Sequence, residues 1–221
     1  DFAQAGNGGY IVVPAQVMYA PDYGVPQSRE RVIFFGFKKS ALTERAIRAL
    51  TSSTIPAKYD PYPIKTHGEG LAQTVTCGDA MIGLVEPNES NDPSQQKYSK
   101  AKFMGRHCQG QTEIKLDSIG PTIRSEHHGN IEYRRLSKEN GGKYHAELTA
   151  GLCERRLTVR ECARIQTFPD EYQFILKKTS LNKAVSSSEA YKIIGNAVPC
   201  VLAYNIAKNI ENKWLLYFKK K

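Results

Sequence analysis

The sequence has no apolar run of about eighteen residues or more, so it predicts no membrane-spanning helix. Its first residues show neither an initiator methionine nor the basic-then-apolar pattern of a secretory signal, and we expect them to be the edge of a longer polypeptide. The five cysteines are scattered and never spaced Cys-x-x-Cys, which predicts neither a zinc site nor a disulfide framework. A reducing cytoplasm is the setting that fits this pattern best.

Acidic residues are in deficit. The 22 aspartates and glutamates face 31 lysines and arginines, which gives a formal net charge of +9 at pH 7 and a pI near 9.3. A protein of this charge attracts polyanions at low salt. Ordinary solubility charge can produce the same excess, so composition by itself leaves nucleic-acid binding open.

Two strands and a helix are predicted near the start of the chain. Residues 10–19 are rich in β-branched and aromatic side chains, residues 31–37 form a short apolar run, and turn-forming residues lie between them. Residues 41–50 predict a helix with Ser40 as its N-cap.

The middle of the chain differs in composition from both ends. From residue 52 to residue 154 it is rich in proline, glycine and polar residues, which predicts short strands and loops of the kind that read a partner. Helices are predicted again from Thr158, whose spacing to Glu161 is that of a capping box, and over residues 199–217, where apolar residues recur with helical spacing.

Three segments carry most of the functional information: YGVPQSRERV at residues 23–32, RLTVRECARIQTFPD at residues 156–170 and YKIIGNAVP at residues 191–199. Together, and in this order, they resemble the last three motifs of the DNA cytosine-5 methyltransferase family. The variable stretch between the first two lies where that family keeps its target-recognition domain. The resemblance implies transfer of a methyl group from S-adenosylmethionine to C5 of a cytosine in a specific duplex DNA sequence, by a bacterial enzyme of a restriction-modification system.

The resemblance also implies a fold. It predicts an α/β protein with a partial Rossmann-like methyltransferase domain and a small, mostly β target-recognition domain. Residues 1–55 are expected to supply C-terminal strands and a helix of the catalytic domain. Residues 56–184 are expected to form the target-recognition domain with its supporting helix, and residues 185–221 a terminal helix that returns to the catalytic domain.

The first segment holds Arg29 and Arg31, two positions apart beside a predicted strand, so both side chains can point toward one site. Guanidinium groups keep their charge and offer a fixed fork of donors to a phosphate or a base carbonyl. Spacing alone favours two exposed charges at a strand edge. The resemblance implies instead that Arg31 contacts the flipped cytosine, that Arg29 holds nearby phosphate or active-site groups, and that Gln27 contacts DNA.

The second segment places Arg160 and Arg164 one turn apart on a predicted helix. They are candidates for clamping DNA phosphates, which fixes register without reading sequence. They could equally pair with Glu161 or Glu154 and organise the small domain. Because the corresponding family motif chiefly holds the recognition domain in place, the structural role is favoured.

The third segment predicts a tight turn at Gly195 and Asn196 at the start of an apolar helix, with free N–H groups and room for a ligand. By resemblance, Asn196, Ala197 and Val198 line the pocket for S-adenosylmethionine. The family usually has glutamine where this chain has Ile193, so no side-chain hydrogen bond is expected from that position.

The densest recognition candidate inside the variable stretch is residues 120–135. Arg124, His127, His128 and Asn130 supply donors suited to base edges and phosphates. A metal site at the two histidines is not expected, since adjacent histidines seldom bind one ion and no partner has ligand spacing.

No counterpart of the family's cofactor loop, nucleophile loop or accompanying acidic residue is found in the sequence. The glycine-rich residues 1–9 echo the cofactor loop, but no strand–loop–helix unit follows them. Cys200 follows a proline, as the family's nucleophile does, yet it enters an apolar helix where a buried cysteine is the ordinary explanation. We therefore expect the chain to be inactive alone, as an excised C-terminal fragment or as the second subunit of a split enzyme that needs a missing N-terminal catalytic half.

Two other functions stay open at this point. The chain could be a stand-alone DNA-binding module that never touches the cofactor. It could also be an RNA-directed relative, since one subfamily with this fold methylates tRNA. The long, basic variable stretch favours duplex DNA over tRNA.

Overall fold

The computed structural model of the chain describes residues 9–100, 113–125, 131–134, 138, 142–175, 180 and 184–219. The strands in these residues are β1 (Tyr10–Val12), β2 (Gln16–Tyr19), β3 (Glu30–Ile33), β4 (Gly36–Lys38), β5 (Glu132–Arg134) and β6 (Arg155–Arg156). The helices are α1 (Glu44–Leu50), α2 (Cys77–Met81), α3 (Pro93–Gln96), α4 (His145–Thr149), α5 (Val159–Ile165), α6 (Ser187–Asn196), α7 (Cys200–Asn212) and α8 (Trp214–Tyr217). None of these helices has the length and apolar character needed to span a membrane.

The strands β1 to β4 form one bent antiparallel hairpin. β2 pairs with β3 and β1 pairs with β4, and the register shifts between the two ladders. The bend includes Pro14, which has no N–H to donate to a ladder. The single strand predicted for residues 10–19 is therefore two strands, and the apolar run at residues 31–37 is divided in the same way.

Side-chain caps decide where the helices begin. Thr43 caps α1, because its hydroxyl accepts from the Ala46 N–H, whereas the predicted cap Ser40 lies in the short 3-10 turn before the helix. The predicted capping box of α5 is confirmed. Thr158 accepts from the Glu161 N–H at 3.0 Å, and Glu161 accepts from the Thr158 N–H at 2.8 Å.

Gly195 and Asn196 lie in the last turn of α6, so the prediction that they form a turn at the start of a helix is wrong. The next helix, α7, begins only at Cys200. A helix C-terminus presents free carbonyl oxygens, whereas a helix N-terminus presents free N–H groups. The main-chain groups that this end of α6 offers to its surroundings are therefore acceptors.

The buried apolar side chains form two clusters. The first packs the inner side of the hairpin against α1, α7 and α8, with Leu42, Leu202 and Tyr217 fully buried. The second joins α2, α5 and α6 through residues such as Leu157 and Ile194. Thus α6 packs with the middle of the chain, while α7 and α8 pack on the hairpin. The domain boundaries after residues 55 and 184 stay a prediction.

The predicted α/β class is confirmed, with helices and small two-stranded antiparallel sheets. The described part of residues 56–184 holds β5, β6 and helices α2 to α5, which is more helix than the mostly β content predicted for it. Two polar residues of this stretch, which the sequence assigns to loops, act as helix caps. Thr76 and Asp92 each accept a main-chain N–H at the start of a helix.

A buried network of ion pairs holds the strands β5 and β6 to the helices around them. Arg155 bonds Glu86 at 3.0 Å and Glu161 at 2.9 Å. Arg134 bonds Glu86 at 2.8 Å and Glu147 at 2.6 Å. Both guanidinium groups are almost fully buried, so each depends on its carboxylates for compensation of its charge.

We expect Glu86→Gln to lower the free energy of unfolding at pH 7 by about 2 kcal/mol, because two buried arginines then lose a charged partner. Burial by itself would raise the pKa of Glu86, but hydrogen bonds from Arg134 and Arg155, together with their charges, lower it. A carboxylate with a lowered pKa stabilises the fold above its unfolded pKa, and this contribution is lost as the pH falls through the folded pKa.

Urea unfolding at pH 7 and at about pH 4 measures both effects, since the lower pH lies slightly below the usual glutamate pKa. The substituted protein should lose less stability than the unsubstituted protein between the two pH values. Equal pH dependence in the two proteins would contradict the role given to Glu86.

Candidate functional site

Arg29, just before β3, is the centre of the site. Its side chain is almost wholly buried, at 1% exposure. One terminal nitrogen donates to the Ile123 carbonyl at 2.8 Å, and the other donates to the carbonyls of Gly195 at 2.7 Å and Ala197 at 3.0 Å. These bonds connect the first sequence segment to residue 123 of the variable stretch and to the end of α6.

The charge of Arg29 has little compensation. No carboxylate among the described residues forms an ion pair with it, and its Nε has no hydrogen-bond partner there. Burial lowers the pKa of Arg29 to about 10, and the positive charge of Arg31 acts in the same direction. Arg29 thus stays charged at neutral pH and leaves a positive field in its surroundings.

A second connection runs through two glutamines, Gln27 and Gln166, both at 0% exposure. The Gln27 side-chain amide donates to the Gln166 side-chain oxygen. The Gln166 amide donates in turn to the carbonyls of Ile194 at 2.9 Å and Ala197 at 2.7 Å. All three sequence segments therefore meet here, since each supplies at least one of these residues.

Residues 120–125 lie along the first segment and against α6. The Ser28 N–H donates to the Gly120 carbonyl at 2.8 Å, and the Gly120 N–H donates to the Pro26 carbonyl at 3.0 Å. Gly195 allows the close approach to α6, because a Cβ on it would lie 2.6 Å from the carbonyl carbon of Arg124 and clash with the Ser125 nitrogen.

A cleft of about 370 Å³ opens above this junction. We call it the arginine cleft; it is lined by Glu30, Arg31, Thr122, Arg124, Ser125, Gly195 and Asn196. Arg31 is partly exposed and donates to the Glu30 carbonyl at 2.7 Å, and burial lowers its pKa. With Arg29 bonded to the carbonyl of its lining residue Gly195, and Glu30 as the one acidic residue among the described lining, the cleft is suited to an anionic or carbonyl-bearing ligand.

Of the three predicted cofactor residues, Asn196 is in the lining of this cleft, and Ala197 and Val198 follow it in the chain. Asn196 is exposed and lines it, Val198 is 39% exposed, and Ala197 is half-buried with its carbonyl bonded to Arg29 and Gln166. Gln27, predicted to contact DNA, is instead buried and bonded within the protein. Because the Gln27 side chain is fully buried, it offers no surface to a ligand in this structure. Its amide oxygen accepts from the Ile123 N–H at 2.9 Å.

The predicted phosphate contacts Arg160 and Arg164 lie away from the arginine cleft. Arg160 is buried and bonds Asp92 at 2.6 Å and the Tyr172 carbonyl at 3.1 Å. Arg164 bonds Asp170 at 2.6 Å and the Ile82 carbonyl at 2.6 Å. This geometry corresponds to the structural role that their family motif favours, although the partners are not the predicted Glu161 and Glu154.

Some predicted recognition residues fall outside the described part of the chain: His127, His128 and Asn130. Conversely, two residues of the site received no role from the sequence. Gln166 lies within the second segment, and apart from its place just after α5 its local sequence gives no indication of a role. Ile123 acts through its main chain, and its side-chain type carries no signal for that.

The cysteines of the described residues do not line the cleft. Burial raises the pKa of Cys200 and raises that of Cys77 to about 12, so neither is an activated thiol. The Cys200 N–H donates to the Gln166 carbonyl at 3.2 Å, at the start of α7. No cluster of three His, Cys, Asp or Glu side chains that could hold a metal ion occurs in the described part of the chain.

A family model for C-5 cytosine-specific DNA methylases matches residues 2–212, which include all three segments and the whole junction. The chain belongs to this family. The methylase resemblance predicted from the three segments is thereby confirmed.

Among relatives of this chain, the type II methyltransferase M.BsuRI of Bacillus subtilis is 32% identical over 234 residues, covering 99% of this chain and 45% of the relative. The type II methyltransferase M.BspRI of Lysinibacillus sphaericus is 35% identical, covering 99% of this chain and 47% of the relative. The chain thus spans about half the length of the curated relatives it matches.

The chain also resembles the solved structure of the S. pombe Dnmt2 methyltransferase. The TM-score is 0.52 at 16% identity, and the match covers 94% of this chain and 57% of that one. At this level of identity the likeness shows a shared fold.

Proposed function

We propose that this chain forms the DNA-reading part of an enzyme that transfers a methyl group from S-adenosylmethionine to C5 of a cytosine in a specific duplex DNA sequence. It supplies DNA recognition and part of the cytosine and cofactor pockets. The names of the relatives, both type II methyltransferases, favour a role in a bacterial restriction-modification system.

One observation carries the proposal: three distant segments meet through Arg29, Gln166 and the end of α6, and the arginine cleft opens at their junction. Arg31 and Arg124 line the cleft beside Asn196, so a phosphate or base bound by the arginines would lie next to a side chain that can contact the cofactor. In this proposal Arg31 contacts the flipped cytosine, and Arg29 supports it from beneath by fixing the main chain around it.

The residues at the edge of the cleft fit S-adenosylmethionine. Asn196 offers an exposed amide, and Val198 offers an exposed apolar surface next to it. When bound, the cofactor supplies the methyl group. Ile193, 45% exposed, can add only apolar contact, in keeping with its departure from the usual glutamine.

We further propose that the nucleophile comes from polypeptide beyond this chain, in cis or as a separate subunit. None of the described residues that line the arginine cleft is a cysteine. The outer face of the hairpin carries apolar side chains that are about two-thirds exposed: Val17 at 63%, Val32 at 64% and Phe34 at 66%. Contiguous exposed apolar residues are typical of a surface that packs against further protein.

The proposal predicts that the purified chain binds duplex DNA in a salt-dependent manner and incorporates no methyl group from labelled S-adenosylmethionine. Binding is measured by fluorescence anisotropy with a labelled duplex, and incorporation by scintillation counting. Methyl incorporation by this chain alone would overturn the claim about the nucleophile. Stronger competition by tRNA than by duplex DNA would favour an RNA-directed enzyme.

Replacing Arg124 by alanine should weaken duplex binding and reduce the slope of log affinity against log salt by about 1, because it removes one phosphate contact. Replacing Arg31, whose proposed contact is the flipped cytosine, should weaken binding with a smaller change in that slope. Arg45 is the matched control, since it is exposed on α1 and lies outside the cleft. If Arg45→Ala changed the slope as much as Arg124→Ala does, binding would be a property of the general charge and the cleft would lose its assigned role.

A further inference from the structure

We propose that Gln27 and Gln166 are positioning residues that hold residues 120–125, which lead into the DNA-reading stretch, in register with the end of α6. The inference rests on the proposed function. Both side chains are fully buried, so they act through the main chain around them and not by touching DNA.

The orientation of both amides is determined by the groups at the two ends. The Gln166 side chain faces the carbonyls of Ile194 and Ala197, so its NH₂ group must point there. Its oxygen therefore faces Gln27, which must present its own NH₂ group. The Gln27 oxygen is left to accept from the Ile123 N–H.

The result is a one-way series of hydrogen bonds. It starts at the Ile123 N–H, passes through Gln27 and Gln166, and ends on the carbonyls of α6. The side chain at position 166 must therefore be a donor at this end. An acceptor in its place would face the carbonyl oxygens of Ile194 and Ala197, which are also acceptors.

The same series fixes a residue of the cleft. Residue 123 is held from one side by Gln27 and from the other by Arg29, which donates to its carbonyl at 2.8 Å. Thr122 also bonds the Ser28 carbonyl. Arg124 follows directly in the chain and lines the arginine cleft, so its position depends on how residue 123 is held.

Gln166→Glu is the sharpest variant, since the new side chain has the same shape and lacks the donor. We expect about a tenfold loss in discrimination between preferred and other duplex sequences, the effect of one broken buried hydrogen bond on the geometry of reading. The salt slope of binding should not change, because no phosphate contact is removed.

The matched control is Gln95→Glu. Gln95 is 1% exposed and belongs to a different buried network, where its amide donates to the Val85 carbonyl at 2.8 Å and to Glu161 at 3.1 Å. This substitution likewise removes a buried amide donor, here one that faces a carboxylate, and it touches no residue of 120–125.

The experiment binds each purified full chain to a library of duplex DNA with a randomised central stretch and sequences the bound fraction. The expected result is a sequence preference in the unsubstituted chain and in Gln95→Glu, which Gln166→Glu loses. Equal preference in Gln166→Glu and the unsubstituted chain, or equal loss in both variants, overturns the positioning role while the proposed function stands. No preference in the unsubstituted chain overturns the proposed function and this inference with it.

A second measurement keeps the test decisive if Gln166→Glu folds poorly at neutral pH. Burial raises the pKa of an introduced carboxyl group, and its protonated form regains one donor. Sequence preference of Gln166→Glu should therefore recover at pH 5, and that of Gln27→Met, which lacks any ionisable group, should not. Absence of recovery in the first variant counts against the donor series.

Discussion

Replacing Gly195 by alanine should lower the free energy of unfolding by about 2 kcal/mol and weaken duplex binding by at least about tenfold. Alanine is the better helix former, by about 1 kcal/mol in a helix interior, so propensity alone predicts stabilisation. The opposite sign follows from the close approach of residues 124 and 125. A Cβ on Gly195 would lie 2.6 Å from the Arg124 carbonyl carbon, and main chain cannot move aside as a flexible side chain can.

Gly36→Ala is the control for Gly195→Ala. Gly36 is exposed in β4, and a Cβ on it would lie 4.0 Å from the Tyr10 ring, an ordinary contact distance. Its effect on stability should stay within about 0.5 kcal/mol. Chemical unfolding and duplex anisotropy measure both variants, and a stabilised Gly195→Ala protein with normal binding would show that residues 120–125 do not rest on α6.

Arg29→Met should have the larger cost in stability, about 3 kcal/mol, because the carbonyls of Ile123 and Gly195 lose their Arg29 donor and the Ala197 carbonyl keeps only the one from Gln166. Removing a buried charge that has no carboxylate partner in the described part of the chain returns part of this cost, which keeps the expected value below the sum for three charged hydrogen bonds. Arg29→Lys should recover only part of the loss, since one ammonium group cannot span carbonyls on both sides of the junction.

Arg48→Met, on the exposed side of α1, serves as the control for chain length and charge. Urea unfolding compares the stability of Arg29→Met, Arg29→Lys and Arg48→Met with that of the unsubstituted protein, and duplex binding is then measured in the same samples. Arg29→Met with unchanged stability would mean that its hydrogen bonds do not hold the three segments together.

Three of the residues that line the cleft could be found from the sequence because they lie in compact local patterns. Arg31 and Asn196 stand in short segments whose order along the chain identified the family, and Arg124 stands in the densest group of donors within the variable stretch. The capping box at Thr158 is equally local, since both partners lie within four positions. Local patterns of this kind need no knowledge of the fold.

The parts that could not be predicted depend on distant partners or on buried charge. Gln27 and Gln166 are 139 positions apart, and no spacing rule joins them. Arg134 and Arg155 are buried, whereas arginine is ordinarily an exposed residue, so the sequence offers no reason to place them in a core. The turn predicted at Gly195 and Asn196 is instead the last turn of α6. A glycine and an asparagine are typical of turns, and only packing against residues 124 and 125 explains a glycine in the last helical turn.

The central claim is that duplex DNA is read over the arginine cleft, at the junction of three distant segments. Photo-crosslinking tests it most directly: a randomised duplex that contains 5-iodocytosine is irradiated with the purified chain, and the crosslinked peptides are identified by mass spectrometry. The account predicts crosslinks in peptides that contain Arg31, residues 120–125 or Asn196. Crosslinks confined to α7 and α8 or to the outer face of the hairpin would contradict it.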